Sequence, residues 1–559
     1  MTANPTGRWR HLPNHSRQNL VRYSIPLLLL STVIVGCQKG NFDSTTPNPV
    51  DEAYIFTPPG RDTAGVLSKV EKGPRGTVRV KIIDAATGKP TFCRVNVVGS
   101  DGNFYQPTNN KLATFGMTGE WPKRGYGNRP GKAPIRYFGR FFYTDGVFEV
   151  DVPPGMTRVE TWKGFEYAPA TFASQVAENR STEMAIKLQR TVPMAPEGYY
   201  SGDTHLHLPR DNDADAETCL DLLEAEDVQF GGILCYNLDT SHYSGAMNRQ
   251  TYPQRQGLGK ASERERNGYR ILSGQEYRSG QFGHLKVLLQ DRLVREGDNF
   301  DPNDGPAYGR IGDEIHERGG LAFHAHGGYA QEIWADFVQG SVDGVELLQF
   351  GIYRGIGLEG WYRIWNAGYR LPAIGASDFP PCRKMSDCRT YAYCESAPDF
   401  PAWLRAVAAG HSFVTTGPFL LLEADGNKPG SVMELKSPGP HRVNIRIRAR
   451  GEVVPIQHVQ CVIGGRVFKQ WDIPAAEQLG RWFETTQSVP IDGPTWIAAR
   501  AYSLSPSGSP DGESHTNPIQ VLVDGNRPFD KESIKWLVKR IDEQIEEHQN
   551  LVRRAKRTI

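Results

Sequence analysis

The sequence predicts a multidomain chain with an α/β centre set between two β-rich regions and closed by a C-terminal helix. Three observations carry this. The first is length: 559 residues, with 38% apolar and 10% aromatic residues, supply several cores at roughly 150 residues per domain. The second is a change of texture between 197 and 417, where strand-like runs alternate with helical stretches, the pattern of a parallel sheet. The third is period-two alternation on both sides of that region. A mean hydropathy of −0.49 excludes a polytopic membrane protein. With 64 Lys+Arg against 63 Asp+Glu, there is no basic field to attract nucleic acid, so the expected partner is a small molecule.

In chain order, residues 1–36 read as an export signal. Arg8, Arg10, Arg17 and Arg22 precede an apolar run from Ile25 to Gly36, too short to span a bilayer and ending at Ile34-Val35-Gly36-Cys37. That junction resembles a bacterial lipobox, which predicts a chain lipid-anchored through Cys37 at the cell envelope. Residues 37–72 read as a flexible tether. From Gly76 to Asp84 apolar and polar residues alternate, a Thr87-Gly88-Lys89-Pro90 turn follows, and a second run passes through Val95 and Val97, the signal of a hairpin. In the centre, Gly231 to Cys235 and Leu321 to Phe323 read as strands, and Glu217–Glu226, Ile311–Arg318 and Pro401–Ala409 as helices. Beyond Gly417, Val443, Ile445, Ile447 and Ala449 keep strict period two, so 418–524 reads as a β-sandwich. In 527–559, Ile534, Leu537, Val538, Ile541 and Ile545 form the apolar stripe of a helix that docks on the body. Cys382, Cys388 and Cys394 lie too far apart for a zinc knot and predict a local disulfide.

The chemistry-bearing residues lie in the centre. Asp203-Thr204-His205-Leu206-His207 puts two imidazoles two residues apart at a strand end, on one face, where a single cation can reach both. Gly274-Gln275-Glu276 follows, with His284 eight residues on, a carboxylate able to bridge cations and an imidazole beside it. His324-Ala325-His326 closes a buried-looking strand with two more rings on one face. Ala373 to Ser377 is a short apolar strand that delivers Asp378 at its end. Taken singly, each has an ordinary alternative, as surface histidines, a turn-capping Glu or a loop Asp.

Their order resembles that of the PHP family of metallohydrolases, and "SGDTHLH", "GQEYRSGQFGH" and "SFVTTGPFL" resemble its exported carbaryl-hydrolase-like branch. Residues 73–192 resemble a carboxypeptidase-regulatory-like β-sandwich, through "GTVRVKIIDAATGKP" and "GVFEVDVPPG". The resemblance implies that 197–417 is a distorted seven-stranded α/β barrel between two sandwiches. It implies one or two divalent cations (zinc, manganese or iron) held by His205, His207, Glu276, His284, His326 and Asp378. Hydrolysis of a phosphoester, phosphodiester, carbamate or carboxylester would follow, with a water activated on a cation. His324 stands as an alternative to His326, or as a group that handles protons, and Asp211, or equally Asp213, stands where the family has an acid. The chain departs from the pattern at Cys235-Tyr236-Asn237 and Asp378-Phe379-Pro380, where the family has further histidines. A barrel that has lost catalysis and serves as an envelope binding or adhesion protein is therefore the alternative reading. No GxSxG elbow precedes a helix in the α/β region to offer serine-hydrolase chemistry.

Overall fold

The computed structural model describes residues 66–67, 73–112, 115–116, 141–210, 212–235, 257–279, 282–294, 307–330, 332–379, 384–437, 439, 441–504 and 510–557. The signal, Cys37 and nearly all of the tether lie outside the described residues, as do Asp211, Tyr236, Asn237, Pro380, Cys382 and Arg383.

The N-terminal region consists of two sheets facing one core. One has Cys93–Val98 and Gly155–Trp162 at its centre, the other Gly76–Asp84 between Val147–Val152 and Ser181–Arg190. Val78, Val80 and Ile82 meet Val95, Val97 and Phe142 between them. The expected hairpin is therefore corrected. Apart from an isolated bridge between Ile83 and Pro90, the two runs do not pair, and the turn carries the chain from one sheet to the other. Cys93–Val98 is buried along its whole length, so its period was never that of a half-exposed hairpin arm.

Among the described residues, the strands of the centre that lead to the candidate ligands are β1 (Tyr199–Leu206), β2 (Phe230–Cys235), β3 (Tyr269–Ser279), β4 (Gly283–Leu288), β5 (Leu321–His324), β6 (Gly344–Gln349) and β7 (Ala373–Gly375), with Gly259–Arg266 added antiparallel to β3 and Arg389–Tyr393 antiparallel to β1. β1, β2 and β3 pair in parallel, β4 is antiparallel to both β3 and β5, and β5, β6 and β7 are again parallel. The first and last members meet again. Leu206 bridges Phe379, and the His207 amide donates to the Phe379 carbonyl at 2.9 Å. Because β4 runs backwards, its first residues lie beside the last residues of its neighbours, which brings His284 to the same end as the other candidate ligands.

Helices cover the strands. Asp213–Glu226 begins earlier than expected because Asn212 caps it, its side chain accepting from the Asp215 amide at 3.0 Å. Phe400–Ala408 presents Trp403, which is fully buried, stacks on Phe230 at 5.0 Å and donates its indole N–H to the Tyr200 carbonyl. Gly202 is required opposite it, since a Cβ there would lie 2.3 Å from the Trp403 ring. Trp403→Ala is expected to lower stability by about 3–5 kcal/mol, read as a fall in the urea midpoint with little change in slope.

Beyond β7, strand Arg389–Tyr393 pairs with Ser412–Thr415, which in turn pairs with Pro510–Thr516, so one ladder crosses from the centre into the C-terminal sheets. There Phe419–Ala424, His441–Arg450 and Phe483–Ile491 face the larger sheet, with Val443, Ile445, Ile447 and Ala449 in the shared core. The terminal helix, Lys531–Arg557, docks through Ile534, Leu537 and Ile541 of the expected stripe, with Trp536 beside them, but not through the rest of it. Leu537 and Gln544 are buried, while Val538 and Ile545 are about half exposed. The local disulfide is also corrected, because Cys388 and Cys394 are both free. They flank strand Arg389–Tyr393. Six residues of extended chain span roughly 20 Å, far beyond disulfide reach.

Candidate metal centre

His205 and His207 are both buried at the end of β1. Asp203, two residues earlier, fixes the junction they stand on. Its carboxylate accepts from the His205 amide at 3.0 Å and from the Ser377 amide and hydroxyl at 3.2 and 2.5 Å. Ser386 donates to it as well, at 2.9 Å. The end of β1 is thereby tied to the segment that delivers Asp378. Asp378 and His326 both have φ of +55°, a left-handed backbone that costs a non-glycine residue energy and is concentrated at functional sites. Gly327, next to His326, must be glycine, since a Cβ would lie 2.1 Å from the Arg354 carbonyl oxygen.

The six expected ligands converge. His205 Nε2 lies 3.2 Å from His207 Nε2, and Asp378 Oδ1 is 3.3 and 3.4 Å from those two atoms. Glu276 reaches both halves of the cluster. Its Oε2 is 3.1 Å from His207 Nε2, while Oε1 is 2.8 Å from His284 Nδ1, 3.3 Å from His326 Nε2 and 3.6 Å from His205 Nε2. Ligands about 2.0–2.1 Å from a tetrahedral cation stand roughly 3.3–3.4 Å apart, which is the spacing found here. His205, His207 and Asp378 make one group able to hold a metal ion, Glu276, His284 and His326 another, and His205, His326 and Glu346 a third that draws on both.

Hydrogen bonding on the far side of the rings sets which nitrogen faces the centre. His205 Nδ1 donates to Glu346 Oε2 at 2.8 Å and His207 Nδ1 donates to the Leu234 carbonyl at 3.2 Å. Both partners are acceptors, so Nδ1 carries a proton in each ring, and in the deprotonated form the Nε2 lone pair faces the other ring. Two such lone pairs 3.2 Å apart, ringed by carboxylates, need a proton or a cation between them. Burial alone would lower the His205 imidazole, but the carboxylates of Glu346, Asp378 and Glu276 outweigh it and hold it well above its ordinary value. Burial likewise works to raise Glu276, yet Arg278 and the adjoining imidazoles hold it well below the carboxylate range. His284 is pushed down to about 4, chiefly by burial, and so presents a neutral ring.

Two residues essential to this arrangement were not singled out in the sequence. Glu346, on β6, accepts from His205 and from Lys286 Nζ at 2.6 Å, and its Oε1 is buried without a hydrogen-bond partner. Lys286, on β4, also donates to Thr204 Oγ1 at 2.9 Å. Each was visible as a single charge inside an apolar strand run, "GVELLQ" and "GHLKVLL", where an unpaired charge would be costly. Gln349 contacts His326 Nδ1 and completes the outer layer.

His324 does not share a face with His326. β5 ends at His324, and the left-handed turn at His326 swings the second ring round to the cluster. His324 instead points back to Asp336, with Nε2 at 2.6 Å from Oδ2, beside the Tyr308 ring. Among the described residues it belongs to none of the groups able to hold a metal ion. Asp213 is the first residue of a helix, exposed to solvent. Lys384, six residues beyond Asp378, is buried.

No family model matches the chain, and no curated protein matches it. Among solved structures, PsfC from Pseudomonas syringae PB-5123 aligns at 14% identity with a TM-score of 0.27, over 38% of this chain and 90% of that one. The lesion-specific endonuclease PfuEndoQ from Pyrococcus furiosus aligns at 14% identity with a TM-score of 0.24, over 38% of this chain and 56% of that one. Likeness at this level carries no inference about chemistry. The buried His, Asp and Glu groups, by their own geometry, could bind a metal ion.

Proposed function

We propose that the chain is a metal-dependent hydrolase of ester-type bonds, with one or two divalent cations (zinc, manganese or iron) held by His205, His207, Glu276, His284, His326 and Asp378. We read the seven central strands and their Leu206–Phe379 closure as the distorted barrel of the PHP type. The observation that carries the function is the facing pair of Nε2 atoms on His205 and His207, 3.2 Å apart, with Asp378 and Glu276 closing the same shell. The N and O donor set suits zinc, manganese or iron.

A cation held there would polarise the ester oxygen and acidify a water near neutral pH. The remaining work belongs to the chain. Lys286 keeps Glu346 ionised, Glu346 fixes the tautomer and tilt of His205, and the Leu234 carbonyl does the same for His207. Glu276 shares its two oxygens between the halves, so the reacting atoms would be held in one geometry. The substrate is a phosphoester, phosphodiester, carbamate or carboxylester. The place of work is the cell envelope, by the lipobox reading of Cys37.

The test is hydrolysis by metal-reconstituted protein across those four ester classes, with and without chelator. Chelator-sensitive turnover of at least one class is expected. A wild type that binds metal and hydrolyses nothing overturns the proposal and favours a binding role. In the same assay, His324→Ala is expected to keep its metal and most of its rate, because His324 faces Asp336. Loss of metal from that variant would contradict the ligand assignment.

A further inference from the structure

We propose that the C-terminal helix completes the centre from outside: His548, stacked on Phe282, positions His284, so that the half of the centre formed by Glu276, His284 and His326 depends on this helix and the other half does not. The inference rests on the metal-centre reading and deepens it.

His284 is the second residue of β4, paired with Arg278 of β3 and with its carbonyl accepting from the Ala325 amide at 2.9 Å, and the turn residue Phe282 stands two positions before it. Phe282 and Gly283 are held by two backbone contacts, the Phe282 amide donating to Ser279 Oγ at 3.0 Å and the Tyr308 hydroxyl donating to the Gly283 carbonyl. Between them projects the Phe282 ring, which is buried and contacts two other rings among the described residues. One is Tyr308, at 5.9 Å. The other is His548, at 5.6 Å and within 8° of parallel. Tyr308 belongs to the central region, whereas His548 lies 264 residues beyond His284 in the chain.

The His548 ring is itself held. Its Nδ1 donates to the Gln544 carbonyl at 2.8 Å, and Gln544 is buried in the docked face. The helix is anchored upstream by buried Leu537 and by Trp536, whose ring meets Trp334 edge-on at 5.2 Å. A rigid rod is thus pinned at one end on the helices of the centre, and its other end presses a ring against the turn that carries a ligand. His205, His207 and Asp378 come from β1 and the segment after β7, which no ring contact of this helix reaches among the described residues. An aromatic pair supports about a two- to tenfold effect on an equilibrium it controls.

The experiment uses the full chain, with His548→Ala and His548→Phe, titrated with Mn2+ by calorimetry after metal removal. Amide exchange of the metal-free proteins is followed in parallel over residues 277–285. In His548→Ala the second equivalent of Mn2+ is expected to weaken by two- to tenfold while the first is unchanged, and the 277–285 amides are expected to exchange faster. His548→Phe, which keeps a stacking ring, is expected to restore both. Equal weakening of both equivalents, or unchanged exchange in His548→Ala, overturns the positioning role. A wild type that takes up no Mn2+ overturns the metal-centre reading and the metal half of this proposal, while exchange still decides whether His548 holds the turn.

Discussion

Glu276→Ala is expected to abolish metal binding in both halves of the centre, because Glu276 lies within 3.6 Å of candidate ligand nitrogens on both sides. Removing an outer partner of a ligand costs 10–100-fold in metal affinity, so loss of a shared ligand should cost ~100-fold or more at each half. The fold should survive. β3 pairs with β2 and β4 through its backbone, and the side chain contributes to neither ladder. The measurement is metal content per chain after dialysis, with far-ultraviolet circular dichroism as the check on folding. A Glu276→Ala protein that keeps a full equivalent of metal would show that His205, His207 and Asp378 suffice alone, and would remove the bridging role. His207→Ala should be less complete, leaving the Glu276, His284 and His326 group intact.

Lys286→Met is expected to destabilise the metal-free protein by about 3–5 kcal/mol near neutral pH, since breaking a buried pair leaves one charge uncompensated. Lys286 and Glu346 are both fully buried, 2.6 Å apart. Burial works to raise the Glu346 carboxyl, but Lys286 first, then His205, holds it below the ordinary carboxylate range. A depressed carboxyl contributes stability above its unfolded value, near pH 4.3, and loses it as pH falls toward the folded value. The wild-type contribution is therefore present at neutral pH and lost only in acid. In Lys286→Met the main cation is gone and burial favours the protonated acid, so the deficit should shrink on acidification. Adding Glu346→Gln should recover much of the loss, because an amide carries no charge to strand. Urea midpoints from pH 4.5 to 8 in chelator read both effects, and a single variant as stable as wild type at pH 7 would contradict the pairing.

How much of this was legible in the sequence depends on whether a residue's role is local. The HxH of β1 was legible because strand geometry alone puts His205 and His207 on one side. Glu276, His284, His326 and Asp378 were legible through their order along the chain, which the structure turns into convergence at one end of the strands. The same strand rule misled for His324, because β5 stops there and a left-handed residue reorients His326. Glu346 and Lys286 were passed over because they carry no motif. Their function lies in each other, 60 residues apart in sequence, and only the β4–β5–β6 packing brings them together. The hairpin expected between Gly76 and Val97 failed for a related reason. Alternation and a turn state that two strands follow each other, but not whether they join one sheet or face each other across a core. The terminal helix was placed correctly as an element, and its docked face differed because Gln544 and His548 take part in the contact alongside the apolar residues.

The account stands or falls on where a cation sits. The most direct measurement is anomalous diffraction at the manganese or zinc edge from crystals of the reconstituted chain. The account predicts a peak within about 2.0–2.3 Å of His205 Nε2, His207 Nε2 and a carboxylate oxygen of Asp378 and Glu276, with any second peak beside Glu276 Oε1, His284 and His326. Saturating metal with no peak at these atoms, or a peak bound only elsewhere on the chain, would contradict it.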